Sequence, residues 1–120
     1  MNKKHIIISA TMGALGVALG AFGAHGLKSI LTPEMLETYR TGIFYHLIHA
    51  VVLLGLSLST KYNFTIPFYI IFVGIVLFSF SLYAYALSGI KIFAMITPIG
   101  GISLILGWIA IMLTVLRNKS

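Results

Sequence analysis

His46 and His49 stand three positions apart in the stretch IFYHLIHA, residues 43–50, with Tyr45 four before His49. On a helix, that spacing puts the two imidazoles and the phenol on neighbouring positions. Such groups have three chemistries open to them. A neutral imidazole binds a metal or haem iron. A histidine with its ordinary pKa of about 6.5 exchanges protons. Or a neutral ring bonds a tyrosine hydroxyl or a freed carbonyl and locks two helices together. His25, Tyr83 and Thr97 are further candidates for the same polar pocket, with Tyr85, Ser79 and Ser81 close to Tyr83 in sequence.

Other chemistries lack their parts. The chain has no cysteine, and its two acidic residues are Glu34 and Glu37, so no Asp exists to complete a Ser–His–Asp set. Both carboxylates fall on a surface-type helix, where solvation or pairing with Arg40 is the expected role. The glycines follow no strand, so no phosphate-binding loop is indicated. A metal site from His25, His46 and His49 has suitable ligand types but no carboxylate or thiolate within the membrane. The expectation is a protein that is not an enzyme and carries neither cofactor nor metal.

The elements that position these residues follow from charge and hydropathy. Hydrophobic residues make up 59% of the 120 and charged residues only 8%, where a soluble domain would need about 25% charged. Residues 6–24, 41–60, 62–90 and 92–116 contain no Asp, Glu, Lys or Arg. Each run reaches the ~18 residues that mark a membrane-spanning helix. The expected fold is an all-α bundle of four transmembrane helices in one domain, with spans at about 5–24, 42–60, 66–87 and 96–116. Between the first two, Met35, Leu36 and Tyr39 share one side of a segment at about 33–41, and Glu34, Glu37 and Thr38 the other. That pattern predicts a short amphipathic helix lying in the interface.

Thr32-Pro33 reads as an N-cap with proline at the first helical position. Thr97-Pro98 reads the same way, predicting that residues 88–95 form a connection before the fourth span. The segment 61–65 reads as a tight turn, and its Asn63-Phe64-Thr65 sequon as chance. MNKK followed by an apolar run, with Ala21-Phe22-Gly23 beyond it, resembles a signal peptide. The run is as long as a span and three more spans follow, so it is expected to remain uncleaved. A faint internal echo, SGIK with TP at 88–98 against HGLK with TP at 25–33, carries no argument.

The net charge of +6 comes from residues placed singly or in pairs beside the spans. It predicts orientation rather than nucleic-acid binding. With the N-terminus inside, Lys3, Lys4, Lys61, Arg117 and Lys119 are cytoplasmic, and Lys28, Arg40 and Lys91 are outside. Lys and Arg favour the cytoplasmic side, so both termini are expected there. In that topology the candidate pocket lies in the outer leaflet. Gly13, Gly16, Gly20 and Gly23 form a narrow stripe on the first span, where a second helix can approach closely. The expected partners are the lipid bilayer and no nucleic acid, with association to a second copy or another membrane protein left open.

Several stretches resemble the YgdD/YwdK-type family: GAFGAHGL at 20–27, Tyr45 with His49, FSFSLY at 78–83, ITPIGG at 96–101, and Gly107-Trp108. The match runs in order from about residue 13 to 108. These are small, functionally uncharacterised bacterial inner-membrane proteins with four predicted spans, related to a eukaryotic transmembrane family. The resemblance implies an inner-membrane location and the same span count, and supplies no reaction or ligand. That family reads Tyr-Gln where this chain has Tyr45-His46, and Phe-Ser-Gly-Ser where it has Phe78 to Ser81. His46 therefore stands outside the family pattern, which weakens the three-histidine metal site and leaves His25 and His49. Three function classes follow: a structural or accessory membrane protein, a small proton-coupled transporter or channel using the polar pocket, or a haem, quinone or metal protein.

Overall fold

The computed structural model describes residues 1–118, and Lys119 lies outside them. Four long helices account for most of the chain: α1 Lys3–Leu27, α2 Pro33–Leu58, α3 Thr65–Ser88 and α4 Lys91–Arg117. All four are long and apolar enough to cross a membrane. At about 1.5 Å per residue each exceeds the ~30 Å hydrocarbon core, so its ends reach the headgroups.

Local chemistry explains the ends. The Asn2 side chain accepts from the His5 amide at 3.1 Å, and Thr32 accepts from that of Met35 at 3.2 Å, with Pro33 at the first turn of α2. Asn63 accepts from the amide and hydroxyl of Thr65 at the start of α3. Gly89 ends α3 with φ of 71°, a left-handed conformation that a side chain would disfavour, and its amide donates to Tyr85 O.

Three expectations need correction. The amphipathic segment at 33–41 is not a separate interfacial helix but the first turns of α2. No residue there breaks the helix, and its apolar side packs into the bundle: Leu36 and Tyr39 cluster with Leu27, Tyr83 and Ala86. The fourth span begins at Lys91, not near residue 96, so Pro98 lies inside α4. The Gly89 turn completes the reversal within two residues and makes a longer connection unnecessary. Inside a membrane bundle, neighbouring groups compensate for a proline that soluble helices would exclude. The first span also runs further than residue 24, because its last five residues, Gly23–Leu27, widen into a π turn.

The helices pack in sequence: α1 along α2, α2 against α3, α3 against α4. A second π turn, Val76–Phe80, interrupts α3. The main apolar core joins Met12, Ala50, Leu53, Phe68, Ile71, Ile75 and Leu104 from all four helices. Glycines set the spacing at both outer pairs. On α1, Gly16 and Gly23 face α2 so closely that a Cβ on Gly16 would lie 2.6 Å from Leu47. Gly20 faces Ile43 less tightly, and Gly13 faces open space. On α4, a Cβ on Gly100 would overlap the backbone of Leu77 and Phe78 at the π turn, and one on Gly107 would overlap Ile71. Gly74 of α3 faces Leu104 in return.

These contacts separate two glycine substitutions. Gly100→Ala meets backbone and should lower unfolding stability in detergent by about 1–3 kcal/mol, the usual cost of overpacking. Gly13→Ala meets nothing and should change it by no more than about 0.5 kcal/mol. Equal thermal unfolding of the two variants would contradict the α3–α4 contact.

Candidate functional site

Polar side chains join the helices at several places. The most enclosed is His46, fully buried at the middle of α2. Its Nε2 lies 2.8 Å from Met12 O on α1, and its Nδ1 lies 2.7 Å from the Tyr83 hydroxyl on α3. A carbonyl oxygen can only accept, so Nε2 carries the proton and donates. In the neutral ring Nδ1 then accepts from the Tyr83 O–H. One imidazole thus ties α2 to both neighbours. The Gly16 position makes room for it: the His46 ring passes directly over that glycine. The Tyr39 ring stands 5.1 Å from that of Tyr83, and its hydroxyl donates to Leu19 O at 2.5 Å. Ser79, on the α3 π turn, is fully buried, and its hydroxyl has no hydrogen-bond partner among the described residues.

His49 makes the second joint, from α2 to α4. Its Nδ1 lies 2.8 Å from Tyr45 O, and the Trp108 indole N–H donates to its Nε2 at 3.1 Å. Because one nitrogen must donate and the other must accept, this geometry holds only for the neutral Nδ1–H tautomer. Tyr45 contributes its carbonyl; the residue is 38% exposed, and its ring packs edge-on to Phe78. A shallow cleft of about 260 Å³ opens beside the pair, lined by Tyr45, His49, Phe78, Gly101, Leu104, Ile105 and Trp108.

The remaining joints are smaller. The hydroxyls of Ser81 and Thr97 share a 2.6 Å hydrogen bond between α3 and α4, and Ser103 donates to Ile70 O at 2.8 Å. At the opposite end of the bundle, His5 stacks on Phe68 at 4.0 Å and its Nε2 lies 3.2 Å from the Tyr69 hydroxyl.

The candidate residues therefore do not gather around one space. Tyr83 belongs with His46, Tyr45 and His49 with Trp108, and Thr97 with Ser81. His25 is exposed on the π turn of α1 and joins none of them. Nor are the joints confined to one leaflet, since Trp108 stands nine residues from the Arg117 end of α4. Among the described residues no group of three His, Asp or Glu side chains is placed to hold a metal ion. His25, His46 and His49 do not form one.

Sequence reasoning weighed His46 but left it out of the expected pocket, and it gave His5 and Trp108 no bonding role. His46 was set aside as foreign to the family pattern, although its place in an apolar run was itself a signal of burial. His5 stood at the start of the expected first span, at about 5–24, with no partner assigned to it. Trp108 read as part of a family motif rather than as a donor to a histidine.

An all-helical bundle with four spans, tied internally by imidazole, indole and hydroxyl groups, is a multi-pass membrane protein. The family model described as "Protein of unknown function (DUF423)" matches residues 19–101. The chain is 40% identical over 120 residues to the "UPF0382 membrane protein YwdK" of Bacillus subtilis (strain 168), covering 96% of this chain and 98% of that one. It is 37% identical over 122 residues to the "UPF0382 inner membrane protein YgdD" of Escherichia coli (strain K12), covering 98% and 93%. The chain belongs to this DUF423 (UPF0382) family of membrane proteins. No solved structure matches it.

The two histidine joints predict distinct signatures. Tyr83→Phe leaves His46 Nδ1 without its donor and should cost about 1 kcal/mol of stability, within the range of interhelical hydrogen bonds in membranes. Trp108 is the only tryptophan, so its fluorescence reports the second joint directly. His49→Leu removes the acceptor and should shift Trp108 emission to shorter wavelength. Unchanged emission would mean that the indole N–H does not rest on His49.

Proposed function

We propose that this protein is a non-catalytic structural or accessory component of the bacterial cytoplasmic membrane, whose polar groups serve to hold helix geometry. The observation that carries this reading is His46, whose two ring nitrogens are both engaged with neighbouring helices. An imidazole used in this way is a clamp. Protonating His49 would break its bond from Trp108, so that ring too is better suited to fixing a helix pair than to passing protons. A transport path shared by His25 and His49 has no support in the geometry, since His25 is exposed and apart from the buried joints.

The partners in this reading are the bilayer and a further membrane protein or a second copy, received on the apolar faces of α1 and α4. In the same reading both termini face the cytoplasm. Lys3, Lys4, Lys61 and Arg117 lie at one end of the bundle, and Lys28, Arg40 and Lys91 at the other. That distribution favours the first end as cytoplasmic. A reporter active only in the cytoplasm should work when fused to the C-terminus, and one active only outside should not.

The clamp reading is tested by separating stability from flux. His46→Gln should lower the unfolding temperature, and proteoliposomes of the parent should carry protons no faster than empty vesicles. A pH-dependent flux in the parent that disappears in His49→Ala, with folded yield unchanged, would overturn the proposal in favour of a transporter.

A further inference from the structure

A groove of about 300 Å³ runs between α1 and α2, away from the histidine joints. Gly20, Gly23 and Ala24 line it on α1; Tyr39, Ile43, Phe44 and Leu47 line it on α2; and Arg40 stands at its upper rim. From Arg40 to Leu47 the groove descends about 10 Å along the helix. Below the rim every wall is hydrocarbon or aromatic, apart from the Tyr39 hydroxyl, which is already committed to Leu19 O. Arg40 is exposed, and neither Glu34 nor Glu37 lines the groove.

These features are ordered along the membrane normal. Arg40 lies in the first two turns of α2, alongside Glu34, Glu37 and Thr38, at the level where polar headgroups begin. The apolar slot beneath it opens at the depth of the acyl chains. An occupant must therefore be anionic at one end and hydrocarbon at the other. A guanidinium presents parallel N–H donors that match phosphate oxygens and hold them more strongly than neutral donors would.

We propose that this groove binds one phospholipid of the leaflet that contains Arg40, its phosphate on the Arg40 guanidinium and one acyl chain between α1 and α2. At Gly23 the Tyr39 ring closes on α1, whereas Gly20 meets only Ile43 and leaves the wider part of the slot, beside the Phe44 ring, for a chain. A second copy of the protein could fill the apolar slot but would have to meet Arg40 with an acidic group. The only carboxylate side chains, Glu34 and Glu37, lie on the same helix as Arg40.

The test uses the full chain purified in detergent and titrated with phosphatidylglycerol, with bound lipid read by native mass spectrometry. Phosphatidylcholine of the same chain length, whose choline cation cancels the phosphate charge, is the zwitterionic comparison. The parent should retain one phosphatidylglycerol in preference to phosphatidylcholine. Arg40→Gln should weaken phosphatidylglycerol about tenfold, the effect of losing one charge-assisted contact, and abolish the preference. Ala24→Phe should fill the slot and remove retention of both lipids, and Ala24→Leu replaces it if the larger ring disturbs the helical circular dichroism. Lys28→Gln removes an exposed cation at the same end that does not line the groove, and should leave binding unchanged. Equal losses in Arg40→Gln and Lys28→Gln would reduce the effect to general surface charge and overturn the site. So would unchanged retention in a folded Ala24 variant. A lipid-free dimer that Ala24→Phe converts to monomer would assign the groove to a second copy instead.

Discussion

Within a bilayer no water is available to satisfy a buried polar group, so an imidazole or indole N–H turned into the bundle needs a partner in the protein. That constraint organises this bundle. His46 reaches a main-chain carbonyl on α1 and a phenol on α3, and His49 receives an indole N–H from α4. Apolar contact cannot supply the same direction, because lipid tails are as good a neighbour for Leu or Ile as another helix is. The hydrogen bonds define which faces meet, and the glycines determine how near they come.

The two devices depend on each other. The His46 ring lies over Gly16, and its Nε2 reaches Met12 O one turn before that glycine. A side chain at position 16 would occupy the space the ring needs. On the other side of the bundle, Gly100 rests on the π turn of α3, and Ser81 and Thr97 share a hydrogen bond between the same two helices. The π turn brings the backbone of Leu77 and Phe78 to Gly100, while the buried Ser79 hydroxyl on that turn has no hydrogen-bond partner among the described residues. Wide turns of this kind often mark places where a helix adapts to a specific neighbour. Here the neighbour is α4.

The outer end of α1 and α2 has a different character. Packing loosens at Gly20, between the close contacts of Gly16 with Leu47 and of Gly23 with Tyr39, and a slot with Arg40 at its rim opens on that face. The glycine stripe thus does two things along its length. At Gly16 it brings the backbones together, and near Gly20 it leaves space that hydrocarbon can enter. Gly13 does neither.

Much of the fold was legible in the residues alone. Charge-free runs of 19 residues or more have no soluble explanation, and they determined the class and the number of spans, while Thr32-Pro33 marked the N-terminal cap of α2. The start of α4 was misread because Thr97-Pro98 has the chemistry of a helix beginning, whereas the left-handed Gly89 had already turned the chain. The amphipathic start of α2 read as interfacial because sequence periodicity identifies an apolar face without saying what covers it. Only the tertiary structure decided how the polar residues pair. His46 and Tyr83 are 37 positions apart and His49 and Trp108 are 59 apart. Their meeting depends on the rotation and slide of whole helices, which are determined by glycine contacts with backbone and rings that no single helix contains.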